Sequence, residues 1–372
     1  MRVLITGITG FAGSHLAEYI VAEHPEISVY GTVRWRSRME NLDQLRARGL
    51  LDLVEGRYSD RTVGLRDETK KGRVTLLYCD LVDAGSVEHL VSAVQPNRIF
   101  HLAAQSFVQS SFDEPASTLF TNINSQLNLL ESMRRHDALQ IRMHIAGSSE
   151  QYGLVHEDEV PMKETNPLRP LSPYAVSKVA QDKLAYQYFK SYGLHLVVTR
   201  GFNHTGPRRG LIFVTSTLAK QIAEIEAGLH EPVIYHGDLT SRRDWTDVRD
   251  MVRAYWLALE KAEPGESYNV GSGRTWTIRE MLDILLSHSK VKIRLQEDPA
   301  RLRPSDVKIL WADTSKFRAA TGWEPRIPFE RTLGDLLDYW RARTKSEGLI
   351  ALADERHQAD AAGAAGAGAR RT

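Results

Sequence analysis

The sequence predicts an α/β protein, a doubly wound parallel sheet followed by a smaller C-terminal domain. Three observations carry that expectation. Short β-branched runs alternate with stretches of helical spacing over the first 200 residues. The first run ends in a glycine cluster that opens a helix. Beyond about residue 200 the alternation loosens into helices and short strands.

The elements follow in order. Arg2–Thr6 (RVLIT) reads as a strand. From Phe11 to about His24, Phe11, Leu16, Ile20 and Val21 recur at helical spacing, and Ile27–Val33 reads as a second strand. Strand, helix and strand in about 30 residues make a βαβ unit. Strands follow at Val74–Cys79, Arg98–Ala103, Ile141–Ala146 and His195–Thr199. Helices lie between them at Ser86–Val94, Pro115–His136 and Tyr174–Tyr192. Two stretches break the rhythm. Residues 55–73 are charged and turn-rich, an insertion after the second unit. Residues 151–173 hold Pro161, Pro167, Pro170 and Pro173 and read as a long connection. The expected division is a first domain over 1–200, to which later segments return, a second over 201–345, and a disordered tail over 351–372. That tail is Ala/Gly-rich and has no large apolar residue after Leu352.

Composition narrows the function. Lys plus Arg is 48 against 47 Asp plus Glu, which speaks against a general nucleic-acid binder. The lone Cys79 excludes a disulfide within the chain and a cysteine zinc site. The thirteen histidines show no paired ligand spacing, so no metal is expected. No apolar run is long enough to span a bilayer, and the start lacks the features of a signal peptide. The expectation is a cytoplasmic enzyme with no membrane or nucleic-acid partner.

The chemistry starts at Thr6–Gly13 (TGITGFAG), between the first strand and the first helix. A pyrophosphate needs backbone N–H groups at a helix N-terminus, and glycines let it approach. Gly7, Gly10, Phe11 and Gly13 are therefore candidate dinucleotide contacts, and the first domain reads as Rossmann-type. The second strand ends in Val33-Arg34-Trp35-Arg36-Ser37-Arg38, with no acid before Glu40. An acid there would bind a free ribose hydroxyl. Arg34 and Arg36 suit a 2′-phosphate instead, which favours NADP while leaving NAD possible. Tyr174 and Lys178 lie one helical turn apart, so the ammonium can stabilise a phenolate that takes a proton from an alcohol. Ser148 and Glu150 directly follow the strand ending at Ala146, where the ligand crevice of such a sheet lies. The serine suits a hydrogen bond to a substrate oxygen, and the carboxylate suits removal of a carbon-bound proton.

Together these residues resemble the extended short-chain dehydrogenase/reductase family acting on nucleotide sugars. TGITGFAG, CDL (79–81), HLAAQS (101–106), GSSEQYG (147–153), SPYAVSK (172–178), RGFNHTGPRRG (200–210) and YNVGSG (268–273) match its motifs in order, over about residues 1–345. Within it the pattern is most like the GDP-mannose 4,6-dehydratases, with the GDP-6-deoxy-4-keto-mannose reductases close behind. VRWRSR with its insertion, GPRRG, and Ser148–Glu150 in place of the usual Thr-Ser-Glu lean to the dehydratase. GSSEQYG and RDWTDVRD (243–250) lean to the reductase, which also keeps the acid at Glu150. Trp35 stands where dehydratases usually have a second arginine.

The resemblance implies further roles. It places Asp80 and Leu81 beside the adenine, and Ala103, Ala104 and Gln105 along the nicotinamide ribose. Ser106, Asn203, Arg208, Arg243 and Arg303 would hold the nucleotide-sugar substrate, GDP-mannose in the dehydratase reading. It also implies a homodimer or homotetramer built through the helices at 115–136 and 174–192. The alternatives are the reductase, another nucleotide-sugar enzyme, and a non-catalytic cofactor-sensing scaffold on the same fold.

Overall fold

A computed structural model describes residues 1–54, 70–136, 141–301 and 308–347. Most of the expected insertion, Arg303 and the expected tail over 351–372 lie outside the described residues.

The first half of the chain runs β1 (Arg2–Thr6), α1 (Phe11–Glu23), β2 (Ser28–Val33), α2 (Asp43–Ala47), β3 (Leu51–Val54), β4 (Val74–Tyr78), α3 (Ala84–Val94), β5 (Arg98–His101), α4 (Val108–Asp113), α5 (Pro115–Arg135), β6 (Arg142–Ala146), α6 (Pro173–Tyr192) and β7 (His195–Gly201). The second half runs β8 (Asn203–Thr205), α7 (Val214–Glu226), β9 (Val233–His236), β10 (Arg242–Asp247), α8 (Val248–Lys261), β11 (Ser267–Val270), β12 (Thr275–Thr277), α9 (Ile278–Ser287), β13 (Arg294–Glu297), β14 (Ile309–Leu310) and α10 (Ser315–Thr321), then a helix over 329–347.

Eight strands form one parallel sheet in the order β11-β7-β6-β5-β1-β2-β4-β3. The expected strands and crossover helices are all present, with ends shifted by one or two residues. Two sheet strands were not expected from the sequence. β3 is a four-residue edge strand, and β11 pairs with β7 from far along the chain. The strand order reverses between β1 and β5, which opens a ligand crevice beyond their C-terminal ends.

The strands are apolar on both faces because helices cover both. Along β1, Val3 and Ile5 enter the layer that also holds Leu16 and Ile20 of α1 and Trp256 of α8. Leu4 enters the opposite layer with Leu90 of α3, Leu129 of α5 and Ala185 of α6. Period-two alternation thus feeds two cores from one strand.

The chain divides into two compact units. The first comprises Met1–His204, Thr240–Thr277 and Ser305–Phe329. It contains the large sheet and a smaller one in which β10 pairs antiparallel with β12 and parallel with β14. The second comprises Thr205–Leu239, Ile278–Pro304 and Glu330–Thr372. In it β9 pairs parallel with β13, and Glu226 of α7 forms an ion pair with Arg341 at 2.7 Å. Among the described residues no helix is long and apolar enough to cross a membrane.

Candidate active site

The glycine loop leaves β1 with Gly7 at φ +72°, the left-handed region that favours glycine. A Cβ on Gly7 would lie 2.8 Å from Ala103 Cα, and one on Gly13 would lie 2.3 Å from the Gly7 carbonyl oxygen. The loop is therefore pressed against both the β5 exit and the start of α1, and side chains at these two positions are excluded. Gly10 N donates to Gly7 O at 2.9 Å, and α1 has no acidic residue in its first turn. This bare, closely folded helix N-terminus fits a pyrophosphate. Phe11 opens α1, and its ring lies parallel to that of His204 at 5.9 Å.

Arg34, Trp35 and Arg36 are exposed just beyond β2. Arg34 and Ser37 close a turn on each other, and the Arg36 guanidinium lies 4.3 Å from the Trp35 ring centroid. Asn41 Nδ2 donates to Thr9 O at 2.9 Å, which ties this segment to the glycine loop. Asp80 is exposed, whereas Leu81 is buried and its carbonyl accepts from Asn128. Ala103, Ala104 and Gln105 are half-buried at the β5 exit, and Ser106 is exposed.

The catalytic candidates converge at the end of β6. Ser148 caps a short turn over Ser149–Gln151, and its Oγ accepts from Glu150 N at 3.2 Å. Ser148 and Glu150 therefore share one turn. Helix α6 starts beside it because Ser172 caps Ala175 N at 3.1 Å and Pro173 occupies the first helical position. Tyr174 falls in the first turn and Lys178 in the second. Lys178 Nζ donates to Ala146 O at 2.8 Å and lies 5.8 Å from the Tyr174 ring centroid. That bond fastens α6 to the strand end that carries Ser148.

Lys178 is buried, and desolvation pushes its ammonium down from 10.5 to about 7. Between those values the unfolded chain holds a proton that the folded chain has released. Stability contributed at this group therefore rises with pH across that window, relieving a cost that is full below about pH 7. Lys178→Met should flatten the rise, measured as denaturation midpoints at pH 7 and pH 9.

Asn122 of α5 was missed by sequence reasoning. It is buried, its Oδ1 accepts from Gln105 N at 2.8 Å, and its Nδ2 donates to Gln105 O and to Ser177 Oγ. It thus locks the β5 exit against α6. Its only sequence signal is a polar residue inside a long helix, which reads equally well as an exposed position.

The substrate candidates are placed separately. Asn203 begins β8 just after β7, and its Oδ1 is buried without a hydrogen-bond partner. Arg243 of β10 is buried, and its Nη1 donates to Arg242 O at 2.9 Å. Arg208 belongs to the second unit, where it is buried with φ +72°.

The long connection at 151–173 packs on a small core of its own. Tyr152, Met162, Phe202, Leu310 and Ala312 form it, and Met162 N donates to Trp311 O at 2.7 Å.

A family model described as GDP-mannose 4,6 dehydratase matches residues 4–336. A GDP-6-deoxy-D-mannose reductase of Pseudomonas aeruginosa is 31% identical, covering 93% of this chain and 99% of its own. GDP-mannose 4,6 dehydratase 1 of Arabidopsis thaliana is 33% identical, covering 94% and 92%. Among solved structures, RMD from Pseudomonas aeruginosa complexed with NADPH has a TM-score of 0.75 at 29% identity, covering 92% of this chain and 99% of that one. UDP-glucose 4-epimerase of Thermus thermophilus, complexed with NAD, has a TM-score of 0.74 at 31% identity, with 92% and 99% covered. With the family model spanning nearly all of the described residues, the chain belongs to the GDP-mannose 4,6-dehydratase family.

Proposed function

We propose that this chain is an NADP-dependent GDP-mannose 4,6-dehydratase that forms GDP-4-keto-6-deoxy-mannose. The observation that carries the reading is the turn placing Glu150 beside Ser148, at the strand end to which Lys178 is bonded. The glycine cradle and Arg34 and Arg36 would hold the cofactor. When bound, its nicotinamide supplies a reversible store for one hydride. Tyr174 takes the proton of the sugar C4 hydroxyl, with Ser148 hydrogen-bonded to the same oxygen and Lys178 stabilising the phenolate. The C4 ketone acidifies C5. Glu150 removes the C5 proton and returns it to the departing C6 hydroxyl, which leaves as water; the stored hydride would then be given back to C6 and a proton to C5, which yields the 4-keto-6-deoxy sugar with no net change in the cofactor. Asn203, Arg208, Arg243 and Arg303, with Ser106, would hold the substrate, the arginines facing its diphosphate and nucleoside.

The similarity to the Pseudomonas aeruginosa reductase favours a second reading, in which Tyr174 acts as an acid and the reduced cofactor is consumed. Bulk absorbance at 340 nm separates the two. The dehydratase turns over GDP-mannose with no net change, and a steady fall on a 4-keto sugar with NADPH would replace it by the reductase.

Two further outcomes follow from this reading. NADP should bind at least several-fold tighter than NAD, and Arg34→Ala should narrow that gap about tenfold by removing a charge-assisted hydrogen bond. Equal affinities in the unmodified protein, measured by titration, would discard the NADP assignment. The chain should also be a homodimer or homotetramer at micromolar concentration. The exposed side chains Phe112 of α4, Phe120 of α5, and Val176, Tyr186 and Tyr192 of α6 supply apolar surface for a self-complementary contact. A monomer by light scattering would remove that interface.

A further inference from the structure

Below the reacting groups lies a buried polar chain that the proposed chemistry does not use. Tyr152, fully buried, directly follows the Ser149–Gln151 turn. Its hydroxyl donates to Asn269 Oδ1 of β11 at 2.6 Å and accepts from Arg200 Nη1 of β7 at 3.0 Å. Arg200 Nε donates to Asp182 Oδ2 of α6 at 2.9 Å. Asp182 stands one turn beyond Lys178 and two beyond Tyr174, on the same helix. Further bonds extend the chain. Arg200 Nη1 also donates to Glu164 O, Ser267 Oγ donates to Asp182, and Asn269 Nδ2 donates to Met162 O.

We propose that Tyr152 and Arg200 are positioning residues, which hold the Ser148–Glu150 turn in register with the α6 segment carrying Tyr174 and Lys178. The inference rests on the roles given to those four residues above. The two halves of the site come from separate elements, and their spacing must hold within a fraction of an ångström for Ser148 and Tyr174 to meet one oxygen. Lys178 supplies one tie through Ala146. Asp182–Arg200–Tyr152 supplies a second, from the far side of the turn. Stability alone is a poor reason for the arrangement. A buried ion pair is often no better than an apolar replacement, and Tyr152 already packs among Met162, Phe202, Leu310 and Ala312, where a phenylalanine ring would also fit. What the hydroxyl adds is direction. The chain beyond it is fixed as well, since Arg169 N donates to Tyr152 O and Leu154 N to Arg169 O.

The test is Tyr152→Phe, which keeps the ring and removes one oxygen. Asn166→Ala serves as the stability control. It loosens the same connection by removing bonds to Glu159 O and Lys163 N, away from the Ser148–Glu150 turn. Steady-state kinetics are measured on GDP-mannose and, with NADPH, on a 4-keto sugar, beside NADP titration and melting temperature. In whichever direction the unmodified enzyme works, Tyr152→Phe should lower kcat about tenfold to a hundredfold. KM and NADP affinity should stay within about twofold, and Asn166→Ala should leave kcat unchanged. A Tyr152→Phe enzyme with unaltered kcat, or a fall in kcat matched by Asn166→Ala at equal melting temperature, would overturn the positioning role. The substrate on which the unmodified enzyme acts decides the dehydratase reading separately, and activity on neither substrate would overturn both.

Discussion

A Glu150→Gln protein given GDP-mannose should oxidise the sugar and then stall. The amide keeps the shape of the side chain and removes its basicity. Tyr174, Ser148 and Lys178 remain in place, so proton removal from the C4 hydroxyl proceeds. The C5 proton then has no acceptor, and loss of a positioned acid/base typically costs about 10²–10⁴ in rate. Bound NADPH and a 4-keto sugar should accumulate to one equivalent per site, read at 340 nm and by mass, with no water released. Tyr174→Phe should show no bound NADPH at all. Dehydration by Glu150→Gln at the original rate would remove this carboxylate from the chemistry.

The largest stability effect should come from Asp182→Ala. Asp182 and Arg200 are 3% and 4% exposed and bonded at 2.9 Å. Removing the carboxylate leaves a guanidinium buried with no counter-charge and strips Ser267 of its acceptor. Breaking such a pair costs about 3–5 kcal/mol. The exposed pair Arg46–Asp43, with both side chains more than half exposed, sets the contrast. Asp43→Ala should cost no more than about 1 kcal/mol. Urea titration of the two variants measures both, and equal midpoints would mean that the buried pair contributes nothing beyond a surface one.

The features legible in the sequence were those that repeat or punctuate. The β-branched runs gave six sheet strands, and Gly7, Gly10 and Gly13 marked the loop because a backbone turn with no room for Cβ leaves few alternatives. Tyr174 and Lys178 were legible through their one-turn spacing. β3 was not, since LDLV is four residues long and gains its identity only from pairing with β4. Asn122 was hidden because helical position alone does not tell a buried asparagine from an exposed one. The chain Asp182–Arg200–Tyr152–Asn269 was hidden for a different reason. Its members lie on α6, β7, the β6 exit and β11, and only the fold brings them within hydrogen-bond distance.

The position of β11 bears on how the protein is made. The strand supplies the outermost ladder of the large sheet, yet it is synthesised some 65 residues after β7, its only strand neighbour there among the described residues. Phe317 and Trp323, which fill the same core as α1, come later still. A nascent chain that has left the ribosome only as far as β7 carries every catalytic candidate but has an unpaired sheet edge and an unfinished core. During translation the site is thus spelled out well before its scaffold can close.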